Sequence, residues 1–168
     1  MITPMALHTG VCDFLAKEVA PRHRLKSLDS QGGETLSIPQ VVRSGWVLQG
    51  GVDEDWEREA FPYILPRISK IEHQNGREGV LTLDILFGVY GPGFYDGSGR
   101  LIDDGSGYRD LWNLIESVRQ ALMVRRIIEG RYRIREDFFQ AEMIPEQIEP
   151  YWEGYCRTKW DMAFPFPQ

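Results

Sequence analysis

Alternating apolar and polar residues predict the best-defined strand of the chain at residues 80–90. One face of this strand carries Leu81, Leu83, Ile85, Phe87 and Val89, and the other carries Thr82 and Asp84. A last strand within residues 150–164 alternates in the same way, with Trp152, Cys156, Thr158, Trp160, Met162 and Phe164 on one face. Residues 131–141 alternate less regularly and are also predicted to be a strand.

Two amphipathic helices are predicted from apolar residues at helical spacing. The first has Thr3 as its N-cap and Pro4 at its first position, and Pro21 ends it. The second covers residues 110–129, with Gly130 as its C-cap. Its apolar stripe consists of Leu111, Leu114, Ile115, Val118 and Leu122. Such a stripe needs an apolar partner, so we expect the helices to cover one face of a sheet.

The remaining segments are less regular. Residues 61–72 are apolar but contain Pro62 and Pro66, which cannot donate to a strand ladder, so this strand is expected at a sheet edge or bent. Residues 21–37 are predicted to be a loop, and residues 41–48 a short strand. The Asn-Gly pair at residues 75–76 predicts a turn.

Composition narrows the class of protein. A chain of 168 residues fits one domain with a substantial core, and its net charge of -6 argues against a domain that grips phosphate backbones. Two cysteines far apart are typical of a reducing compartment rather than a disulfide framework. With no signal-peptide pattern and no long apolar run, we expect a cytosolic chain that does not enter membranes.

The Gly- and Asp-rich stretch at residues 95–108 invites comparison with ligand-binding loops. The spacing fails for a calcium loop, because Ser98 and Arg100 stand at ligand positions and Gly107 replaces the bidentate glutamate. It also fails for a dinucleotide loop, because Asp110 replaces the third glycine. We therefore expect no metal ion and no cofactor.

His8 and Cys12 are spaced to meet on one helix face, as a base and a nucleophile would. The sequence offers no third residue to orient them, and Cys12 falls close to the apolar stripe, so a core thiol is favoured. No set of catalytic residues is recognised, and a structural subunit is expected rather than an enzyme.

Four segments, taken in order, carry a family resemblance. They are Phe-Pro-Tyr-Ile-Leu-Pro-Arg-Ile at residues 61–68, the strand at residues 80–90, Gly-Tyr-Arg-Asp-Leu-Trp-Asn-Leu-Ile-Glu-Ser-Val-Arg-Gln-Ala-Leu at residues 107–122, and Pro-Tyr-Trp-Glu-Gly-Tyr at residues 150–155. This order resembles the tail terminator, or minor tail and head-tail joining, proteins of long-tailed bacteriophages and prophages. The likeness covers residues 60–166, and residues 1–59 match less well.

The resemblance implies a single α+β domain over residues 1–168, with helices on one face of a mixed, mostly antiparallel sheet. It also implies a homo-oligomeric ring, typically a hexamer, that caps the tail tube, ends its polymerisation and meets the head connector. Such a protein is assembled in the bacterial cytoplasm and resides in the virion at the head-tail junction. Genomic DNA would pass the ring without specific binding, and an acidic lumen would suit that passage.

The loop at residues 91–107 is the candidate assembly site. It lacks evident structure, and loops of this length in compact domains are usually functional or disordered. Its apolar residues would contact a ring neighbour, namely Phe94, Tyr95, Leu101 and Ile102. Its acidic residues favour a solvated tip that projects toward the lumen, namely Asp96, Asp103 and Asp104.

Three other functions stay open at this point. A neighbouring head-tail connector or tail-completion protein belongs to the same class. A small host α/β enzyme or nucleotide-binding protein, and a monomeric adaptor or regulator encoded by a mobile element, belong to different classes.

Overall fold

Two helices and ten strands make up the part of the chain that the structure describes. The computed structural model describes residues 2–29, 31–46, 60–74, 78–147 and 149–163. In chain order the elements are α1 (Pro4–Phe14), β1 (Leu25–Leu28), β2 (Glu34–Ser37), β3 (Gln40–Val41), β4 (Tyr63–Gln74), β5 (Glu78–Tyr90), β6 (Phe94–Tyr95), β7 (Leu101–Ile102), α2 (Ser106–Arg125), β8 (Ile127–Ile128), β9 (Tyr132–Met143) and β10 (Tyr151–Ala163).

One six-stranded sheet, in the order β3-β4-β5-β10-β9-β8, forms the body of the domain. β3 runs parallel to β4, and the other neighbours in this sheet are antiparallel. Both helices pack on the same apolar face of this sheet. The α+β fold with a mixed, mostly antiparallel sheet is therefore confirmed.

The first helix begins and ends as its sequence predicts. The Thr3 hydroxyl accepts a hydrogen bond from the backbone N–H of Ala6 at 3.1 Å, and Pro4 follows it. The buried Tyr132 hydroxyl accepts from the N–H of Thr3 at 2.9 Å and donates to its carbonyl at 2.6 Å. A π-helical turn (Leu15–Val19) and a 3₁₀ turn (Ala20–Arg22) then end the helix around Pro21. Tyr132 thus pins the start of α1 to β9.

The predicted core is confirmed. The apolar stripe of α2 is buried against the inner faces of β5 and β10. Polar atoms on this inner face have partners: the Trp160 indole N–H donates to the Thr158 hydroxyl at 2.9 Å, which donates to the Leu83 carbonyl at 3.0 Å. Buried polar groups without such partners would be destabilising, so this chain of hydrogen bonds allows Thr158 to lie in the core.

The opposite face of the sheet carries a small buried cluster of Phe61, Tyr63, Leu65 and Tyr90 at one end and polar side chains over the rest. Two ion pairs lie in the polar part. Asp84 is buried in the middle of β5, and the Arg157 guanidinium donates to both of its carboxylate oxygens at 2.8 and 3.1 Å. Next along the sheet, Arg135 donates to Asp161 at 2.7 Å. A buried carboxylate requires such a partner because its desolvation is costly.

The structure confirms one prediction about the irregular segments and contradicts another. β4 is an edge strand beyond Ile64, since β3 pairs only with Tyr63 and Ile64 among the described residues, and a register shift follows Ile68. The loop predicted at residues 21–37 is wrong, because β1 and β2 form an antiparallel hairpin there. The Asp29 carboxylate holds its turn by accepting from the N–H of Gly33 at 2.7 Å.

The bounds of the second helix are also corrected. It starts four residues earlier than predicted, at Ser106, and ends at Arg125. Arg126 takes up the positive φ (59°) at the helix end that the sequence analysis assigns to Gly130. Gly130 instead forms the turn between β8 and β9, together with Glu129.

Several predictions fall partly or wholly beyond the described residues. The strand expected at residues 41–48 is seen only as β3, which ends at Val41, and residues 47–48 lie outside the described residues. The turn at residues 75–76 and Phe164 also lie outside them.

We predict that Leu114→Ala destabilises the protein by about 2–5 kcal/mol, because Leu114 is fully buried between α2 and the sheet and its loss leaves a cavity. Urea unfolding measures the difference. Asn113→Ala, one residue earlier on the exposed side of α2, is the control and should change stability by no more than about 0.5 kcal/mol. Equal midpoints for the two variants would contradict the described packing.

Candidate assembly surface

The loop at residues 91–107 contains a small β-hairpin, so the expectation that it lacks structure is wrong. β6 and β7 pair antiparallel, with Phe94 opposite Ile102 and Tyr95 opposite Leu101. Each strand has only two residues, and strands this short give weak period-2 signals in a sequence. The hairpin has a defined shape, and its four paired residues are those expected to make the assembly contact.

Asp96 holds the tip of the hairpin. Its carboxylate Oδ1 accepts hydrogen bonds from the Ser98 N–H at 2.9 Å, the Ser98 hydroxyl at 2.6 Å and the Arg100 N–H at 3.0 Å. Gly99 closes the turn with a φ of 79°, which a glycine adopts without strain. The bonds from Ser98 and Arg100 hold the pKa of Asp96 below its ordinary value of 3.8. The tip is therefore ordered by an ionised carboxylate.

Asp103 and Asp104 order the chain between the hairpin and α2. The Asp103 carboxylate accepts from the N–H of Gly105 at 2.8 Å, and the Asp104 carboxylate accepts from the N–H of Ser106 at 2.9 Å. The neighbouring Ser106 hydroxyl and the Ser106 N–H lower the pKa of Asp104. All three aspartates of the predicted site thus have a structural role in the loop itself.

The base of the hairpin is closely packed. A Cβ atom built on Gly91 would lie 2.5 Å from the Gly107 Cα, and one built on Gly107 would lie 2.3 Å from the Trp152 ring. The Trp152 indole N–H also lies 3.4 Å from the Gly91 carbonyl. β5, α2 and β10 meet here without room for larger side chains, so the hairpin projects from a rigid base.

The apolar side chains of the hairpin face solvent on both of its sides. Tyr95 and Leu101 form one cross-strand pair and are 72% and 42% exposed, while Phe94 and Ile102 form the other and are 51% and 37% exposed. A hairpin of two strands is only marginally stable in water by itself. Four exposed apolar residues on such a projection are typical of a contact surface.

A second candidate contact surface, which the sequence does not predict, lies near the other end of α2. A groove of about 560 Å³ runs between α2 and the π-helical turn, and it is lined by Phe14, Val19, Arg22, Ala121, Val124 and Arg125 among others. Val124 is 85% exposed and lies off the buried stripe of its helix. An apolar residue off the stripe is the one signal of this groove in the sequence.

The His8 and Cys12 pair lies in the core and is not arranged for catalysis. His8 Nε2 lies 2.9 Å from the Pro66 carbonyl, so this nitrogen carries the proton that the carbonyl accepts. The Cys12 sulfur lies 3.7 Å from the same nitrogen, which then has no lone pair to take a proton from it. Burial raises the pKa of Cys12 to about 11. The prediction of a core thiol is confirmed.

Metal-ligand clusters and membrane-spanning helices are both absent from the part of the chain that the structure describes. No group of three or more His, Cys, Asp and Glu side chains there is placed to hold a metal ion. Within the same residues, no helix combines the length and the apolar character needed to cross a membrane.

Comparison with known proteins does not assign a family. No protein-family model matches the chain, and no curated protein matches it.

We predict that Gly107→Ala lowers stability, because the new methyl group would overlap the Trp152 ring. Overpacking of this kind costs about 1–3 kcal/mol. Gly97→Ala at the hairpin tip is the control, since its Cβ would meet nothing within 4 Å. Urea unfolding compares them, and a Gly107→Ala variant as stable as Gly97→Ala would show that the base is not tightly packed.

We predict that the hairpin tip loses order in acid. Because the pKa of Asp96 is lower in the folded tip than its ordinary 3.8, the stabilisation is complete above that value and is lost as the pH falls through the lowered pKa. NMR of the Ser98 and Arg100 amides measures the transition. Asp96→Ala should show tip amides already disordered near neutral pH, and a pH response identical to that of the parent would rule out the role of Asp96.

Proposed function

We propose that this chain is the subunit of a homo-oligomeric ring that caps the tail tube of a long-tailed phage and joins the tail to the head. The observation that carries the proposal is the projecting hairpin, whose apolar residues are exposed on both of its sides and which leaves a closely packed base. The segments that resemble tail terminators place the same hairpin between their characteristic strand and helix. The proposed contact surface therefore lies within the part of the chain that carries the family resemblance.

A contact made by a projecting hairpin is compatible with a ring. The hairpin is a convex element and fits a concave partner that differs from it. Two copies can exchange such a contact reciprocally in a two-fold dimer, or repeat it head to tail, and a head-to-tail contact closes into a ring when the rotation between subunits allows. The proposed number of six subunits follows from the family resemblance. The tail tube protein and the head connector protein are the other proposed partners, on the two sides of the ring.

The charge of the chain suits the passage of DNA through such a ring. A net charge of -6 gives no general attraction for phosphate backbones. On the polar sheet face, Arg157 and Arg135 are neutralised by Asp84 and Asp161. A DNA molecule would therefore pass with little specific binding. The protein is proposed to reside in the virion at the head-tail junction.

The test is a deletion of residues 94–102 in the phage or prophage that encodes the chain. Gly93 and Asp103 flank the deletion and are close in space, so the chain can rejoin without pulling on β5 or α2. We expect tails of abnormal length and heads without tails in electron micrographs. Gly97→Ala, which leaves the apolar residues in place, is the control and should give normal particles.

The outcomes distinguish the proposed tail-capping function from that of a head-tail connector. Normal tail lengths with heads properly joined would contradict the proposal. Normal tail lengths with unjoined heads would favour a head-tail connector instead. The purified deletion variant must unfold at the same urea concentration as the parent, which shows that the phenotype arises from the missing hairpin and not from misfolding.

A further inference from the structure

The hairpin and the groove lie toward opposite ends of α2. The hairpin ends just before Ser106, whereas the α2 residues of the groove begin at Ser117. At 1.5 Å per residue, these two positions are about 16 Å apart along the helix. None of the hairpin residues lines the groove of the same chain among the described residues. Each copy therefore presents a projection and a recess at separate places.

The groove has a mixed lining, in which four apolar residues lie among polar and charged ones. Phe14 and Val19 come from the α1 side, and Ala121 and Val124 come from α2. Filling a recess of this kind with a large side chain removes apolar surface of both partners from water. Val124, the most exposed large apolar residue of the described chain, would gain most from being covered.

Charge at the two surfaces is complementary. The hairpin and its base carry Asp96, Asp103 and Asp104, with Arg100 as the one opposing charge on the hairpin. The groove lining carries Arg22 and Arg125, with Glu18 as the one opposing charge among its lining residues, so it is net positive. Arg22 meets Glu18 only at 4.0 Å with both side chains exposed, and Arg125 has no ion pair with a described residue. Opposite charges of this kind orient two partners as they meet.

We propose that the hairpin of one copy inserts into the α1–α2 groove of the next copy, with Tyr95 and Leu101 entering the recess and packing on Val124. This pair is the more exposed of the two cross-strand pairs. The inference rests on the proposed ring and names the two surfaces that build it. In that ring, each copy uses its hairpin on one neighbour and its groove on the other.

Cysteine cross-linking tests the contact directly. The native Cys12 and Cys156 are fully buried and do not compete for an oxidant. Leu101→Cys and Val124→Cys are made as separate proteins, mixed at high concentration and oxidised. We expect a cross-linked dimer in the mixture and none in either protein alone. A chain carrying both substitutions should give a ladder of higher species.

Matched variants decide the outcome. Ile71 on β4 is also an exposed apolar residue, so Ile71→Cys is the control for Val124→Cys. Its mixture with Leu101→Cys should give no dimer. The proposal is wrong if the Leu101→Cys and Val124→Cys mixture gives no dimer, if the Ile71→Cys mixture gives as much, or if Leu101→Cys alone forms dimers. The last result would indicate a two-fold contact between hairpins.

A charge placed in the groove separates this inference from the ring itself. Arg125→Cys places a second cross-linking position in the same groove, and this variant should also form a dimer with Leu101→Cys. Val124→Glu, added to the Arg125→Cys chain, puts a carboxylate where the acidic hairpin would enter, and we expect it to abolish that cross-link. Ile71→Glu, added to the same Arg125→Cys chain, should leave the cross-link unchanged. A Val124→Glu chain that cross-links as well as its control overturns the groove assignment, whereas normal tails in the hairpin deletion overturn the proposed function.

Discussion

The structure depends on the burial of one row of apolar side chains along β5. β5 is paired along its length with β4 on one side and β10 on the other, and its inner residues from Leu81 to Val89 are completely buried. A shift of register by one residue would turn that row toward the polar face, so the pairing of all three strands is fixed. α2 covers the row and is thereby held in position. This arrangement also fixes the position of the hairpin, because the hairpin connects the end of β5 to the start of α2.

Long elements with a regular pattern could be predicted from the sequence, and short ones could not. β5, β10 and the stripe of α2 repeat their period often enough to be recognised. β1 and β2 have four residues each, and their hairpin is held by the burial of Leu25 and by the Asp29 turn rather than by alternation. The end of α2 was misplaced because Gly130 fits the usual helix C-cap. Arg126 adopts the positive φ there instead, and Gly130 serves the β8–β9 turn.

At the candidate site, too, features of one short stretch of sequence could be predicted, and contacts between distant segments could not. The sequence identified the apolar hairpin residues, since exposed apolar residues in a Gly-rich loop stand out locally. It interpreted Asp96, Asp103 and Asp104 as solvated charges, and the structure shows that each accepts backbone hydrogen bonds within the loop. Val124 is the one sign of the groove in the sequence, and the opposite wall could not be placed, because the π-helical turn and α2 are far apart in the chain and meet only in the folded protein.

The hairpin and the groove are linked by a rigid element, and this has a consequence for the proposed assembly. α2 has 20 residues, and a helix of that length is about 30 Å long. It sets the spacing between hairpin and groove, while the close contacts of Gly91, Gly107 and Trp152 set the angle at which the hairpin leaves the helix. The number of copies that closes a head-to-tail ring is determined by such a spacing and angle. In the proposed ring, the small residues at the base of the hairpin would therefore bear on closure as well as on folding.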